Sequence, residues 1–154
     1  MSKVTINSYA EFEAYVGKEI GMSDFQTINQ AQINMFADAT NDQQWIHTDT
    51  IRAAKESPFG TTIAHGYLTV ALLASHWNSL VEVKNVKLQV NYGIDKLKFG
   101  IPVRVNDQIR VRVKLLSIMD LRGVAKAQLH VVMEIKDQKR PVFDAVITFL
   151  YHFK

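Results

Sequence analysis

Four stretches of this chain alternate apolar and polar residues with a period of two. Val86, Leu88, Val90 and Tyr92 alternate with Lys87, Gln89 and Asn91, and Ile109, Val111, Val113 and Leu115 with Arg110, Arg112 and Lys114. Ala127, Leu129, Val131 and Met133 form the third series, and Phe143, Ala145, Ile147 and Phe149 the fourth. Successive side chains of a strand point to opposite faces, so each run predicts a long strand with one apolar face. The turn formers Met119-Asp120-Leu121-Arg122-Gly123 and Lys136-Asp137-Gln138-Lys139-Arg140-Pro141 predict hairpins between the last three. An antiparallel sheet of that size needs a cover for its apolar face. The segment Ile63 to Val81, with Leu68, Ala71, Leu72, Ala74, Ser75 and Leu80, is the most apolar helical stretch and supplies one. The predicted architecture is α+β, a long antiparallel sheet wrapped around a central buried helix.

The remaining first half reads as short helices and loops. Ser8-x-x-Glu11 and Thr27-x-x-Gln30 have capping-box spacing, and the second predicts a helix to about Ala39. Asp49 is placed to cap a short helix through Lys55, which Ser57-Pro58-Phe59-Gly60 ends. A further short strand is expected near Glu19 to Phe25. At 154 residues the whole chain, 1–154, is expected to form a single domain.

Composition removes several function classes. With no cysteine there is no disulfide framework, thiolate nucleophile or sulfur-ligated zinc. Neither the first residues nor any later stretch reaches the length of a signal peptide core or a membrane span of about 18 apolar residues, so a cytoplasmic protein is expected, with no membrane partner. The net charge of +3 is local in origin. Residues 1–83 carry nine acids against four bases, whereas residues 84–114 carry eight bases against Asp95 and Asp107. Those bases are either the solvated face of strands or a receptor for an anionic ligand. They lack interleaved aromatics, so nucleic acid is not expected. Phosphate-loop, dinucleotide, nucleophile-elbow and H-E-x-x-H motifs are all missing.

Two segments can carry chemistry. Ala39-Thr40-Asn41-Asp42-Gln43-Gln44-Trp45-Ile46-His47-Thr48-Asp49 gathers acids, amides and a histidine in one loop. Asp42 and His47 could hold one water molecule between them for general acid/base chemistry, or the acids could cap helices and His47 could be a loop residue with a hydrogen bond. At Ile63-Ala64-His65-Gly66-Tyr67, glycine at a helix start could let a carbonyl oxygen approach backbone N–H groups, or could merely relieve crowding. His47, Asp49 and His65 do not recur at metal-ligand spacing, and no metal or other cofactor is expected.

Residues Phe36 to Asp49, followed by Phe59-Gly60-Thr61-Thr62-Ile63-Ala64-His65-Gly66-Tyr67-Leu68, resemble the hydratase signature of the MaoC-like dehydratase family, which includes (R)-specific enoyl-CoA hydratases and NodN-like proteins. Asn91-Tyr92-Gly93 and the strand run extend the resemblance over nearly the whole chain. It implies the hotdog fold, a sheet wrapped around a helix. It also implies an Asp42–His47 pair that adds water to C3 of a trans-2-enoyl thioester while a proton reaches C2, with the amide of Gly66 holding the thioester carbonyl. Asn41, Asp49 and His65 would support that pair. A homodimer would be the working unit and the substrate would ride on coenzyme A or acyl carrier protein, with Lys84, Lys87, Lys96, Lys98 or Arg104 meeting phosphates. Trp45 stands where some members have proline, and Ala74 followed by Ser75 where some have a serine. The competing activities are a hotdog thioesterase, which would direct water to the carbonyl, and a non-catalytic acyl-thioester binding module.

Overall fold

The computed structural model describes residues 3–154. Its elements run β1 (Val4–Ile6), α1 (Tyr9–Glu13), β2 (Glu19–Met22), β3 (Gln26–Thr27), α2 (Gln30–Thr40), α3 (Trp45–Thr48), α4 (Thr50–Glu56), α5 (Gly66–Ala71), α6 (Leu73–Leu80), β4 (Val81–Val83), β5 (Val86–Phe99), β6 (Gln108–Asp120), β7 (Val124–Ile135) and β8 (Phe143–Phe153). The main sheet has the order β2-β6-β7-β8-β5, with β3 also on β6. Its pairings are antiparallel.

The alternation seen in the sequence becomes burial on three of the four long strands. Val111, Val113, Leu129, Val131, Phe143 and Ile147 are all 2% exposed or less. Each such apolar side chain removed from water contributes about 2 kcal/mol. Leu68, Leu73, Trp77 and Leu80 of α5 and α6 fill the concave side. There the Trp77 indole N–H donates to the Tyr151 hydroxyl at 2.7 Å, satisfying a polar atom that burial would otherwise penalise.

Strand β5 inverts the expected facing. Gln89 pairs with the fully buried Tyr151, so Gln89 points inward while Leu88, Val90 and Tyr92 point outward and stay 39–62% exposed. A bulge between Asn91 and Gly93 interrupts the register, and the Lys126 ammonium sits 5.6 Å over the outward Tyr92 ring. Periodicity identifies a strand but cannot say which of its two faces is inside.

The central helix also departs in detail. Its expected first turn is extended backbone, because Ile63 bridges Arg104 and the Ala64 N–H donates to the Val103 carbonyl. The helix begins at Gly66 and is interrupted at Leu72. Tyr67, Ala71, Ser75 and Asn78 lie on a face that this chain leaves open.

Ser8 caps α1 through the Glu11 N–H, and the Glu11 carboxylate reaches back to the Asn7 N–H. Helix α2 is capped by Asn29 rather than Thr27, since Thr27 pairs with Gln108 in the sheet. The parallel pairing of β1 with β4 had no signal in so short a run as Val4-Thr5-Ile6. No helix among the described residues is long and apolar enough to cross a membrane.

Candidate functional site

Helix α2 ends at Asn41, whose left-handed backbone (φ 57°) turns the chain into the loop that carries Asp42. Asparagine tolerates that conformation better than most residues, so Asn41 shapes the loop. The single turn α3 then places His47, 6% exposed, against the 62–65 segment. Two contacts fasten α3. The Arg52 guanidinium lies 4.3 Å over the Trp45 ring, giving the unusual tryptophan a purpose. The Gln30 amide donates to the His47 carbonyl at 2.7 Å while its oxygen accepts from the buried Thr62 hydroxyl at 2.6 Å. Gln30 was expected to serve a capping box; instead it braces the site. That role joins residues 32 positions apart and has no local sequence signal.

The His47 Nδ1 lies 2.7 Å from the Ile63 carbonyl. A carbonyl only accepts, so Nδ1 carries the proton and Nε2 keeps a lone pair. Burial is the largest influence on this imidazole and lowers its pKa; His65 lowers it too, while Ile63 and Asp42 act in the other direction. His65 is 2% exposed and donates Nε2–H to the Asp42 backbone carbonyl at 2.9 Å. Its ring stacks on His47 and tilts against Phe36 on a centroid separation of 5.0 Å. Its Nδ1 has no hydrogen-bond partner.

The Asp42 side chain is half exposed, with Oδ2 4.0 Å from His65 Nε2. One ligand-type atom each from Asp42, His47 and His65 falls within 4.8 Å of the others. The third member is thus Asp42 rather than Asp49, which caps α4 by accepting from the Arg52 N–H at 2.9 Å. Two imidazoles stacked 23° from parallel aim their in-plane lone pairs side by side rather than at one point. That arrangement suits a water between carboxylate and imidazole better than a metal ion.

His47 and Gly66 line one cavity of about 200 Å³, otherwise walled mostly by apolar residues including Phe59, Ile63, Phe99 and Val103, with Thr69 among them. The Gly66 amide opens α5 and has no carbonyl four residues back within the helix. A Cβ at Gly66 would stand 3.1 Å from the Phe99 ring, so any larger residue there obliges that ring to give way. A larger cavity of about 310 Å³ follows the same helix, between Val70, Ala71 and Ala74 on one side and Asn91, Ile94 and Phe149 on the other. Ser75 is exposed on the open helix face. Lys84, Lys87, Lys96, Lys98 and Arg104 are all exposed, and Lys84 stands 3.9 Å from Glu82.

A sequence model of the family described as MaoC like domain matches residues 11–136. The chain is 41% identical over 149 residues to 3-hydroxyacyl-thioester dehydratase Z of Mycobacterium tuberculosis (strain ATCC 25618 / H37Rv), covering 95% of this chain and 98% of that protein. It is 39% identical over 141 residues to Nodulation protein N of Rhizobium leguminosarum bv. viciae, covering 90% and 87%. Among solved structures, unliganded R-hydratase PhaJ1 from Pseudomonas aeruginosa superposes with a TM-score of 0.77 at 23% identity, over 95% of this chain and 86% of that one. The (R)-hydratase from A. caviae gives 0.67 at 20%, over 86% and 96%.

Proposed function

The chain belongs to the MaoC-like dehydratase family, with the hotdog fold, and on that premise we propose that it is a hydro-lyase that interconverts trans-2-enoyl and (R)-3-hydroxyacyl thioesters through Asp42 and His47. The observation that carries this reading is the fixed tautomer of His47. Its Nδ1–H is committed to the Ile63 carbonyl and its pKa is depressed, so near neutral pH the ring enters the reaction unprotonated at Nε2.

In hydration, a water held by the Asp42 carboxylate and His47 Nε2 gives up a proton to Nε2 as its oxygen bonds to C3. The C2–C3 π electrons move toward the thioester, and charge gathers on its carbonyl oxygen. The Gly66 N–H supports that oxygen, an effect of about 3 kcal/mol for one oriented donor. A proton then returns to C2, restoring the thioester. Dehydration retraces these steps. Addition of water needs no redox or organic cofactor.

A homodimer in the cytoplasm fits the same reading. Strand β5 ends the sheet with Leu88, Val90, Tyr92 and Ile94 half exposed, next to the open face of α5 and α6. An apolar edge of that length invites pairing with a second copy.

The test is crotonyl-CoA, followed by loss of enoyl absorbance alongside a free-thiol reagent. Loss of absorbance without thiol supports hydration, and abolition by Asp42→Asn and His47→Ala with coenzyme A binding retained assigns it to the pair. Release of thiol overturns the reading in favour of a thioesterase.

A further inference from the structure

The cavity holding His47 and Gly66 has a neighbour on the far side of one shared wall. Phe59, Ile101 and Pro102 line both it and a second cavity of about 230 Å³, whose remaining walls are Arg104, Asp107, Ile135 and Gln138. The lining passes from apolar around His47 to polar around Arg104.

Backbone pairing explains the neighbourhood. Ile63 bridges Arg104, and the Val105 N–H donates to the Thr62 carbonyl, so Arg104 lies beside the segment that leads into Gly66. On the other side, the Ile101 and Gly100 N–H groups donate to the carbonyls of Pro141 and Val142. These bonds bring in the β7–β8 turn, where Lys136, Lys139 and Arg140 are exposed beside Asp137. One Asp107 carboxylate oxygen already accepts the Arg104 N–H at 2.8 Å. The salt bridges among the described residues engage neither the Arg104 guanidinium nor Lys139 nor Arg140. Unpaired cations beside a polar cavity raise the local concentration of anions, and a guanidinium can grip two phosphate oxygens at once.

We infer that Arg104, with Lys139 and Arg140, receives a phosphate of the carrier while its thioester arm runs past Phe59, Ile101 and Pro102 to Gly66. This rests on the hydro-lyase reading above and assigns a direction to the thioester arm. Among the five cations the sequence offered, Arg104 lines the second cavity, whereas Lys84, Lys87, Lys96 and Lys98 line neither; Lys139 and Arg140 directly follow Gln138, which lines the second, without lining it themselves. Lys87, Lys96 and Lys98 lie on strand β5, and Lys84 stands beside Glu82.

The experiment compares Arg104→Ala and the triple variant Arg104→Ala/Lys139→Ala/Arg140→Ala with wild type on three substrates. These are crotonyl-CoA, crotonyl-pantetheine, which has no phosphate, and crotonyl-acyl carrier protein. The expected result is a KM for crotonyl-CoA raised about tenfold at unchanged kcat, a flatter salt dependence, and the same KM as wild type for crotonyl-pantetheine. A matching rise with the carrier-protein substrate supports the inference and names the phosphate at the end of the pantetheine arm as the group held. A rise with crotonyl-CoA alone also supports it and names the nucleotide phosphates. An equal rise with crotonyl-pantetheine, a rise with the carrier protein alone, or no change with crotonyl-CoA overturns it. Should wild type hydrate none of the three, the hydro-lyase reading fails. The dissociation constant of free coenzyme A, measured by calorimetry, then tests Arg104 independently, with about tenfold weakening expected and no change overturning it.

Discussion

The imidazole of His65 lies flat against that of His47, ring centroids 3.8 Å apart and planes 23° from parallel. The same His65 donates to the Asp42 backbone carbonyl. One buried ring therefore contacts both proposed members of the water-holding pair, and Phe36 backs it from another side.

Replacing His65 should expose that double role. His65→Phe keeps an aromatic stack but removes the donor to Asp42, so the loop bearing the carboxylate loses its tether. The expected result is a kcat for crotonyl-CoA lowered roughly tenfold to a hundredfold with KM little changed. The stability loss should be about 1 kcal/mol, one hydrogen bond. Steady-state kinetics and urea unfolding of the same preparation separate the two effects.

Gly66→Ala tests the cavity directly. The new methyl would meet the Phe99 ring at 3.1 Å, closer than ordinary packing allows. Phe99 is 45% exposed and can swing aside, so the fold should hold and thermal unfolding should move little. The displaced ring and the methyl together crowd the approach to the amide. A kcat/KM reduced by roughly a hundredfold is expected, read by enoyl absorbance.

Acid should weaken both activity and stability, through histidines that burial keeps neutral. Protonation of His47 at Nε2 removes the proposed base, so the acid limb of the rate profile should have its midpoint below the ordinary imidazole value of about 6.5. For stability, His47 and His76 both have folded pKa values lowered mainly by burial. As pH falls through about 6.5, the unfolded chain takes up protons that the folded chain refuses. Stability therefore falls with pH down to the depressed folded values, by up to about 1.4 kcal/mol per pH unit for each histidine. Urea midpoints between about pH 5 and about pH 8 give the slope. His76→Asn should flatten it, because His76 keeps its Nδ1 against Ser23 at 2.9 Å in the folded state and titrates only on unfolding or at lower pH.

The sequence was informative where local chemistry decides structure. Strand periodicity located β6, β7 and β8, and the side chains of Ser8 and Asp49 cap helices where their types and spacing suggested. Long-range contacts were not legible. Nothing in the spacing of Gln30, His47 and Thr62 announces a brace among three separate segments. Nothing in Val86 to Tyr92 says that Leu88 and Val90 face outward, because the decision belongs to Tyr151, which occupies the inner face opposite Gln89. Nothing in the sequence separates Arg104 from the other four cations, because what distinguishes it is its pairing with Ile63 and its place in the cavity next to the one that His47 lines.

The outward residues of β5 supply the last prediction. A sheet edge with unpaired N–H and C=O groups and half-exposed Leu88 and Val90 is a template for a second strand, and lysine there is a common means of blocking such pairing. Leu88→Lys/Val90→Lys should leave the buried core intact, because neither side chain packs inside it. Wild type is expected to sediment as a dimer and the double variant as a monomer. If the dimer also shields the open face of α5 and α6, which carries Tyr67, Ala71 and Ser75 on the helix that begins at Gly66, turnover should fall with dissociation and recover at high protein concentration. A wild-type chain that sediments as a monomer at assay concentration while turning over crotonyl-CoA would overturn the dimeric unit.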